Sequence, residues 1–218
     1  MEAKYKDGTP LPDEHVVGLM VGILLAGQHT SNVTGAWLGV HLLGNPEVLK
    51  KAIEEQKRVV NTEDLTFDQL KDCTYLYQVM RETLRLNPPI IMMMRRVVKD
   101  IQYKEYTLRK GTMVVASPAL SHRLDAFYTN PDQFDPERFS TERAEDKKYS
   151  FSYISFGGGK HACIGESFAF VQVRAIWSWL LRNYEMELVS KNVKPNYTTM
   201  VVSPTPPVTV RFKRIKKD

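Results

Sequence analysis

Apolar residues dominate one long segment near the start of the chain. The longest apolar run extends from Val16 to Gly27 and covers twelve residues. With Asp13 as the candidate N-cap and Gly44 as a stop, we predict one helix from about residue 13 to residue 43. Because its middle is apolar on nearly every side, we expect this helix to run through a core. A membrane span needs roughly 20 apolar residues, so we predict no transmembrane segment in this chain.

After this segment the pattern changes from helices to short strands and back to a helix. Amphipathic or apolar spacing predicts helices near 46–58, 73–86 and 164–183. A capping box from Thr66 to Gln69 predicts the start of one further short helix. Short β-branched or aromatic runs predict strands at 95–98, 101–103, 112–116, 185–189, 198–202 and 208–212. The pattern is that of a mainly α fold with small β-sheets, an α+β class, in one domain over residues 1–218.

Composition narrows the possible functional classes. The 218 residues are 43% hydrophobic and 25% charged, values of an ordinary globular protein that can bury a core. The net charge of +5 leaves open a basic surface for an acidic protein or an anionic membrane. No interleaving of basic and aromatic residues suggests nucleic-acid binding, so no nucleic-acid partner is expected. Cys73 and Cys163 lie far apart, in a spacing that fits neither a disulfide framework nor a zinc knuckle.

The strongest candidate chemistry lies in the segment from Phe156 to Gly165, which reads FGGGKHACIG. A phosphate loop is not indicated, because no Lys-Ser/Thr pair follows Gly159. A lone cysteine is often only a small buried hydrophobe. Cys163, however, precedes a predicted helix, whose N-terminus stabilises a thiolate, and the glycines let a backbone approach the sulfur or a flat ligand closely. Cys163 is therefore a candidate metal ligand.

Two other motifs place polar groups where they need partners. Glu82 and Arg85 lie three residues apart on one predicted helix face, and Arg138 belongs to a later Pro-Glu-Arg-Phe segment. A surface salt bridge is the simpler interpretation of the Glu-Arg pair. His29 and Thr30 lie deep in the long apolar helix, where polar groups require a hydrogen-bond partner or a function. A satisfied core histidine is the simpler interpretation of His29.

Together these motifs resemble those of the cytochrome P450 superfamily. The Cys loop matches the superfamily's cysteine-ligand pattern at its glycine, histidine and flanking positions, namely Phe156, Gly159, His161, Cys163 and Gly165. The resemblance implies a cytochrome P450 fold, incomplete at its amino-terminal side, that binds haem b (iron protoporphyrin IX). It implies that Cys163 is the axial thiolate ligand of the iron. It further implies that Phe156 packs beside the sulfur and that His161 and Arg95 bind the haem propionates.

Within the superfamily, the sequence is similar to the sterol 14α-demethylases. This similarity rests on the motif Ala26-Gly27-Gln28-His29-Thr30-Ser31, which has a histidine where most members of the superfamily have an acidic residue. The resemblance implies that Ala26 and Gly27 leave room for dioxygen, and that Thr30 and His29 deliver protons. It implies a substrate cavity lined by Ile90, Met92 and Met200, for which core packing is the alternative. It also implies that Glu82, Arg85 and Arg138 form a buried structural triad.

The function implied is that of a monooxygenase that removes the 14α-methyl group of a sterol precursor such as lanosterol. Dioxygen and electrons from an NADPH-cytochrome P450 reductase would be consumed at the cytosolic face of the endoplasmic reticulum membrane. The membrane anchor would lie in an amino-terminal part outside these residues. One alternative is a truncated, inactive fragment, which binds haem or does not. A fatty acid or xenobiotic substrate is another, disfavoured by the motif around His29.

Overall fold

The computed structural model describes residues 4–62 and 64–216 and combines helices with four small antiparallel sheets. The helices are α1 Asp13–Gly44, α2 Pro46–Val59, α3 Phe67–Asp72, α4 Thr74–Leu86, α5 Pro118–Ser121 and α6 Glu166–Asn183. The strands are β1 Met93–Arg96, β2 Ile101–Tyr103, β3 Tyr106–Leu108, β4 Met113–Ala116, β5 Tyr184–Leu188, β6 Pro195–Asn196, β7 Ser203–Pro204 and β8 Val210–Arg214. The predicted mainly α class with small sheets is confirmed.

Helix α1 begins and ends within one residue of its predicted bounds, but its cap differs. Asp13 is the first helical residue, and the preceding Pro12 takes the N-cap position without a side-chain hydrogen bond. Pro12 fixes an extended backbone there, and Asp13 instead places a carboxylate in the first turn, where the helix dipole favours negative charge. The capping box predicted at Thr66 and Gln69 is present at the start of α3.

The first half of α1 is exposed, so the expectation that residues 16–27 run through a core is wrong for this chain. Seven apolar side chains there are about half exposed or more, namely Val17, Leu19, Met20, Val21, Ile23, Leu24 and Leu25. The helix is long and apolar enough to cross a membrane, by length and composition alone. The prediction of no such segment rested on the twelve-residue run, whereas the full helix has 32 residues and continues past the polar groups at 28–32.

The second half of α1 packs into the hydrophobic core with α2, α4 and α6. Buried side chains from each helix meet there, among them Leu38, Leu42, Ala52, Leu76, Met80, Val173 and Leu181. Helices α2 and α4 are strongly amphipathic and turn their apolar faces to this cluster. The core therefore fixes α6, which follows Cys163, against α4, which carries Glu82 and Arg85.

Helices α1 and α6 cross closely at two glycines. The Trp177 indole of α6 lies over Gly39, where an added Cβ would come within 2.6 Å of ring atom Cζ2. The same indole donates a hydrogen bond from Nε1 to the Gly35 carbonyl over 3.0 Å. A side chain at position 39 would therefore push the two helices apart.

We expect Gly39→Ala to destabilise the fold by about 1–3 kcal/mol, because overpacking forces a rigid ring and a helix backbone to shift. Urea denaturation measures this change. Gly22→Ala in the same helix is the matched control, since a Cβ there meets nothing within 4 Å. Its effect should be neutral or stabilising by up to about 1 kcal/mol, from helix propensity alone. Equal effects at both positions would contradict the close crossing.

The four sheets are two-stranded and join segments near and far in sequence. Strands β1 and β4 pair, as do β2 and β3, β5 and β8, and β6 and β7. Strands β3, β6 and β7 were not predicted. The strand predicted at 198–202 is wrong, because these residues form the turn between β6 and β7. Val201 and Val202 are instead buried by contact with α1, which explains their apolar character without a strand.

Candidate functional site

The Cys loop, residues 156–165, presents its cysteine at the surface. Gly157 and Gly159 adopt φ angles of +76° and +66°, the left-handed region that favours glycine. The Cys163 amide donates a hydrogen bond to the Phe156 carbonyl over 2.8 Å, which closes the loop. The Phe156 ring packs into the core beside Phe170, with ring centroids 5.5 Å apart. One end of the loop is thus anchored while the Cys163 thiol remains exposed.

Helix α6 begins three residues after the cysteine. Its N-cap is Gly165, which offers no side-chain hydrogen bond to the first amides. A Cβ on Gly165 would lie 3.7 Å from the Cys163 sulfur, so this glycine keeps the space beside the sulfur open. The prediction that Cys163 lies just before a helix N-terminus is confirmed.

Strand β1 lies against the same loop. The Met93 sulfur is 3.5 Å from the position that a Cβ on Gly157 would occupy. Arg95 is two residues further along β1, so its side chain leaves the strand on the face that Met93 shares. Arg95 and His161 are both exposed, and neither forms an ion pair within residues 4–62 and 64–216. The structure therefore places two basic side chains on segments that meet at the Cys loop.

Glu82, Arg85 and Arg138 are brought together in one fully buried network. Arg85 donates to both Glu82 carboxylate oxygens, over 2.6 Å from Nε and 2.9 Å from Nη2. Arg138 donates from Nε to Glu82 Oε1 over 3.0 Å. All three side chains have no solvent exposure. This geometry joins α4 to the short 3₁₀ helix Pro136–Phe139 and fits an architectural function.

The network contains a fourth member that the sequence interpretation missed. Glu145 is buried and accepts from Arg138 Nη1 over 2.8 Å, while Arg143 pairs with its other oxygen over 2.7 Å. These partners hold the pKa of Glu145 below its ordinary value, against the opposing effect of burial. Glu145 lies in a turn-rich segment without periodicity, so only its charge near the Pro-Glu-Arg-Phe segment could have indicated it.

His122, also missed, connects this network to the segment that leads into the Cys loop. Its Nε2 accepts a hydrogen bond from the Ile154 amide over 2.9 Å, and Nδ1 lies 3.2 Å from the Arg85 carbonyl. The ring also stacks on Tyr153, with centroids 5.2 Å apart. Because Nε2 accepts, the imidazole is neutral, and burial lowers its pKa to about 4. Burial lowers the pKa of His41 to about 4 as well.

We expect the protein to lose stability as pH falls from about 6.5 to about 4. The folded pKa of His122 is depressed, so the unfolded chain binds the proton first, which removes about 3 kcal/mol by pH 4. Urea midpoints at neutral and acid pH measure the slope. His122→Asn should reduce this slope by about half, because burial also lowers the pKa of His41 to about 4, and His122→Asn combined with His41→Asn should remove most of it. An unchanged slope in His122→Asn would contradict the neutral buried imidazole.

The segment Ala26–Ser31 is exposed or half-buried, not deep in a core as expected. The Thr30 hydroxyl donates to the Ala26 carbonyl over 2.7 Å, one turn back in the helix. The hydroxyl oxygen can still accept a hydrogen bond from another donor. His29 is exposed, and an added Cβ on Gly27 would meet nothing within 4 Å. These groups share a helical stretch next to open space.

Two of the three residues predicted to line a substrate cavity, Ile90 and Met200, lie on segments that meet α1. Val33 and Trp37 of α1 pack with Val201, and Ile90 packs against this cluster. Two hydrogen bonds fix the segments: Trp37 Nε1 donates to the Val202 carbonyl over 3.0 Å, and the Val202 amide donates to the Pro89 carbonyl over 2.9 Å. Met200 is 86% exposed and Met92 55% exposed, so neither is a core residue here. This favours a surface contact for the two methionines over core packing.

The groups around Cys163 that could bind a metal suit one kind of metal cofactor. Within the described part of the chain, no group of three or more His, Cys, Asp or Glu could hold a metal ion alone. The Cys loop offers a single exposed sulfur, with glycine backbone around it. Such a site suits a metal that brings most of its ligands with it and takes one thiolate from the protein, as haem does.

The comparisons with known proteins agree with this geometry. The family model described as Cytochrome P450 matches residues 1–212. The chain is 44% identical over 98% of its length to a sterol 14-demethylase of Arabidopsis thaliana, of which it covers 46%. It is 43% identical over its whole length to a lanosterol 14-alpha demethylase of Homo sapiens, of which it covers 43%. The chain thus spans about half the length of these curated relatives.

A solved structure shares the fold. The retinoic acid-bound cyanobacterial CYP120A1 superposes with a TM-score of 0.91 at 25% identity, over 98% of this chain and 49% of that one. The expected cytochrome P450 fold and the resemblance to sterol 14α-demethylases are both confirmed. Membership of the cytochrome P450 family implies a haem cofactor, and the Cys loop offers a ligand for its iron. With the family model matched over residues 1–212 and a thiol exposed before α6, this chain belongs to the cytochrome P450 family.

Proposed function

We propose that this chain is the haem-binding part of a monooxygenase that removes the 14α-methyl group of a sterol precursor such as lanosterol. The carrying observation is the exposed Cys163 thiol in its glycine loop, at the start of a helix packed in the core. The proposed substrate class rests on relatives named sterol, obtusifoliol and lanosterol 14-demethylases. When bound, the haem supplies reductive activation of dioxygen and oxidation of the methyl carbon.

The residues of the Cys loop and of β1 would hold the haem. Cys163 would supply the thiolate that holds the iron, and Gly159 and Gly165 would let the loop approach the macrocycle without a side chain in the way. Arg95 and His161 would bind the two propionates, since both are exposed cations or hydrogen-bond donors near the loop. Phe156 would hold the loop on the core through its contact with Phe170.

The second half of the site would come from α1. Thr30 and His29 would hold and pass protons, with the Thr30 hydroxyl oriented by its hydrogen bond to the Ala26 carbonyl. Ala26 and Gly27 would leave space for dioxygen, because no bulky side chain projects from these positions. Glu82, Arg85 and Arg138 touch no reacting group in this proposal and fix the framework that carries the loop.

The substrate would contact Ile90, Met92 and Met200. Ile90 and Met200 lie on segments joined through Pro89 and Val202, so they can line one apolar wall. A rigid sterol suits such a wall, and exposed methionines can adapt to its shape. Electrons would come from an NADPH-cytochrome P450 reductase, and the protein would work at the cytosolic face of the endoplasmic reticulum membrane.

A spectral titration tests the substrate class. Addition of a 14α-methyl sterol to the haem-loaded protein should shift the Soret band, and a sterol without this methyl group should bind differently. Met200→Ala should weaken the sterol response, whereas Met186→Ala, at a half-buried position of β5, should not. No shift with the sterol, or an equal shift with a fatty acid, would contradict the sterol assignment. A chain that retains no haem would support the alternative of an inactive fragment.

A further inference from the structure

The C-terminal end of α4 binds side chains from two later segments. The last carbonyl groups of a helix have no partner within it and need one elsewhere. The Leu84 carbonyl accepts a hydrogen bond from the Ser155 hydroxyl over 3.2 Å. The Arg85 carbonyl lies 3.2 Å from His122 Nδ1, which must donate to it because a carbonyl oxygen only accepts. The end of α4 therefore holds both His122 and the segment that leads into the Cys loop.

The His122 imidazole is fixed from several sides. It is fully buried, and the backbone carbonyl of His122 accepts from Arg85 Nη1 over 2.7 Å. The ring lies nearly parallel to the Tyr153 ring, with 9° between the two planes. Because Nδ1 faces a carbonyl and Nε2 faces the Ile154 amide, the contacts select one tautomer, in which Nδ1 carries the proton and Nε2 accepts.

Three backbone hydrogen bonds connect this acceptor to Cys163. The Ile154 amide donates to His122 Nε2 over 2.9 Å. The Gly157 amide donates to the Ile154 carbonyl over 2.9 Å, which closes the turn 154–157 at the entrance of the Cys loop. The Cys163 amide then donates to the Phe156 carbonyl, inside this turn, over 2.8 Å. The position of the cysteine is thus linked to the imidazole through one short turn.

The hydrogen bond from Ile154 gives the turn a direction that apolar packing does not give. The Phe156 ring contacts Phe170 in the core, and such a contact tolerates rotation because the hydrophobic effect is not directional. A hydrogen bond requires an approximately linear approach, so a fixed Nε2 constrains the orientation of the Ile154 peptide group. The imidazole therefore controls how the turn 154–157 presents the loop.

We infer that His122 is a positioning residue for Cys163, which it holds in place through the backbone of the turn 154–157. The position requires a neutral side chain that donates to the Arg85 carbonyl and accepts from the Ile154 amide. The inference rests on the proposed function in one respect, since the positioned sulfur is taken to be the ligand of the haem iron. The effect on the loop itself needs no haem.

Two substitutions that differ by one methylene group test this inference. Asparagine at position 122 reaches only the place of Nδ1, whereas glutamine reaches the place of Nε2 and can accept from the Ile154 amide. In the haem-free whole chain, His122→Asn should raise the hydrogen-exchange rates of the Gly157 and Cys163 amides about tenfold or more, because the turn loses its anchor. His122→Gln should keep both rates close to those of the wild type. Acceleration of the Ile154 amide alone in His122→Asn would contradict the link to Cys163.

His41→Asn is the matched control for a loss of stability without a loss of positioning. His41 Nε2 bonds to Asn87 Oδ1 over 2.7 Å, and its ring stacks on Phe134 with centroids 4.4 Å apart. Its replacement should lower the urea midpoint but leave the exchange of the Gly157 and Cys163 amides unchanged. Equal acceleration in His41→Asn and His122→Asn, or in His122→Gln and His122→Asn, would overturn the inference.

The haem-loaded chain gives a second, spectroscopic readout. In the reduced carbon-monoxide difference spectrum, His122→Asn should lose most of the red-shifted Soret band, whereas His122→Gln and His41→Asn should retain it. If the wild-type chain lacks this band, the proposed function fails, and the exchange rates of the haem-free chain still decide the inference. If His122→Asn does not fold, the wild type decides it, since its Ile154, Gly157 and Cys163 amides should share one protection factor. Independent exchange of the Cys163 amide would overturn the inference.

Discussion

Cys163→Ser should abolish the spectrum of a haem thiolate. Loaded with haem, reduced and exposed to carbon monoxide, the wild-type chain should show a strongly red-shifted Soret band. The variant should lose that band completely, because a serine hydroxyl does not replace a thiolate as an electron-donating ligand. The reduced carbon-monoxide difference spectrum measures this, and haem content is determined in parallel.

Cys73→Ser is the matched control for this experiment. Cys73 is fully buried and accepts a hydrogen bond from the Gln56 side-chain Nε2 over 3.5 Å, and burial raises the pKa of its thiol. It should be inert towards haem, so the red-shifted band should persist in this variant. A thiol reagent gives a second readout, since Cys163 should react in the haem-free chain and be protected once haem binds. A red-shifted band in Cys163→Ser would contradict the assigned ligand.

The helical part of the fold was largely predictable, because its causes are local. Gly44 and Pro46 mark the end of α1, and the capping box of Thr66 and Gln69 marks the start of α3. The exposure of residues 16–27 was not predictable from periodicity. An apolar sequence indicates that a segment tends to be buried. Only tertiary contacts show whether other elements among the described residues bury it. The same limit explains Val201 and Val202, whose apolar character reflects burial against α1 and not a strand.

The site residues that belong to sequence motifs were predictable, whereas those that join the site only through tertiary contacts were not. The Cys loop and the Glu82, Arg85 and Arg138 positions are readable because their spacing is specific. Glu145 and His122 belong to the same buried network, yet they come from irregular segments. Their functions depend on which carbonyls and guanidinium groups face them, and the linear sequence contains no signal for that.

Glu82→Gln should destabilise the fold by about 3–5 kcal/mol, because it removes the one carboxylate that two buried guanidinium groups share. Glu82 Oε1 alone accepts three hydrogen bonds, from Arg85 Nη2, from Arg138 Nε and from the Asp135 amide. A glutamine amide keeps the shape but presents an NH₂ group where one oxygen accepted. Two buried cations would then lack full compensation, and their desolvation cost would no longer be offset.

Urea denaturation of the Glu82→Gln chain measures this loss, with Glu187→Gln as the matched control. Glu187 pairs with Arg211 over 2.7 Å, but both side chains are well over half exposed, so the loss of this pair should change the midpoint little. If Glu82→Gln does not fold, Arg138→Lys provides a milder test. Lysine keeps the charge but cannot serve Glu82, Glu145 and the backbone carbonyls at once, so an intermediate loss is expected. A midpoint for Glu82→Gln as close to wild type as that of Glu187→Gln would show that the network does not hold α4 to the 3₁₀ helix Pro136–Phe139.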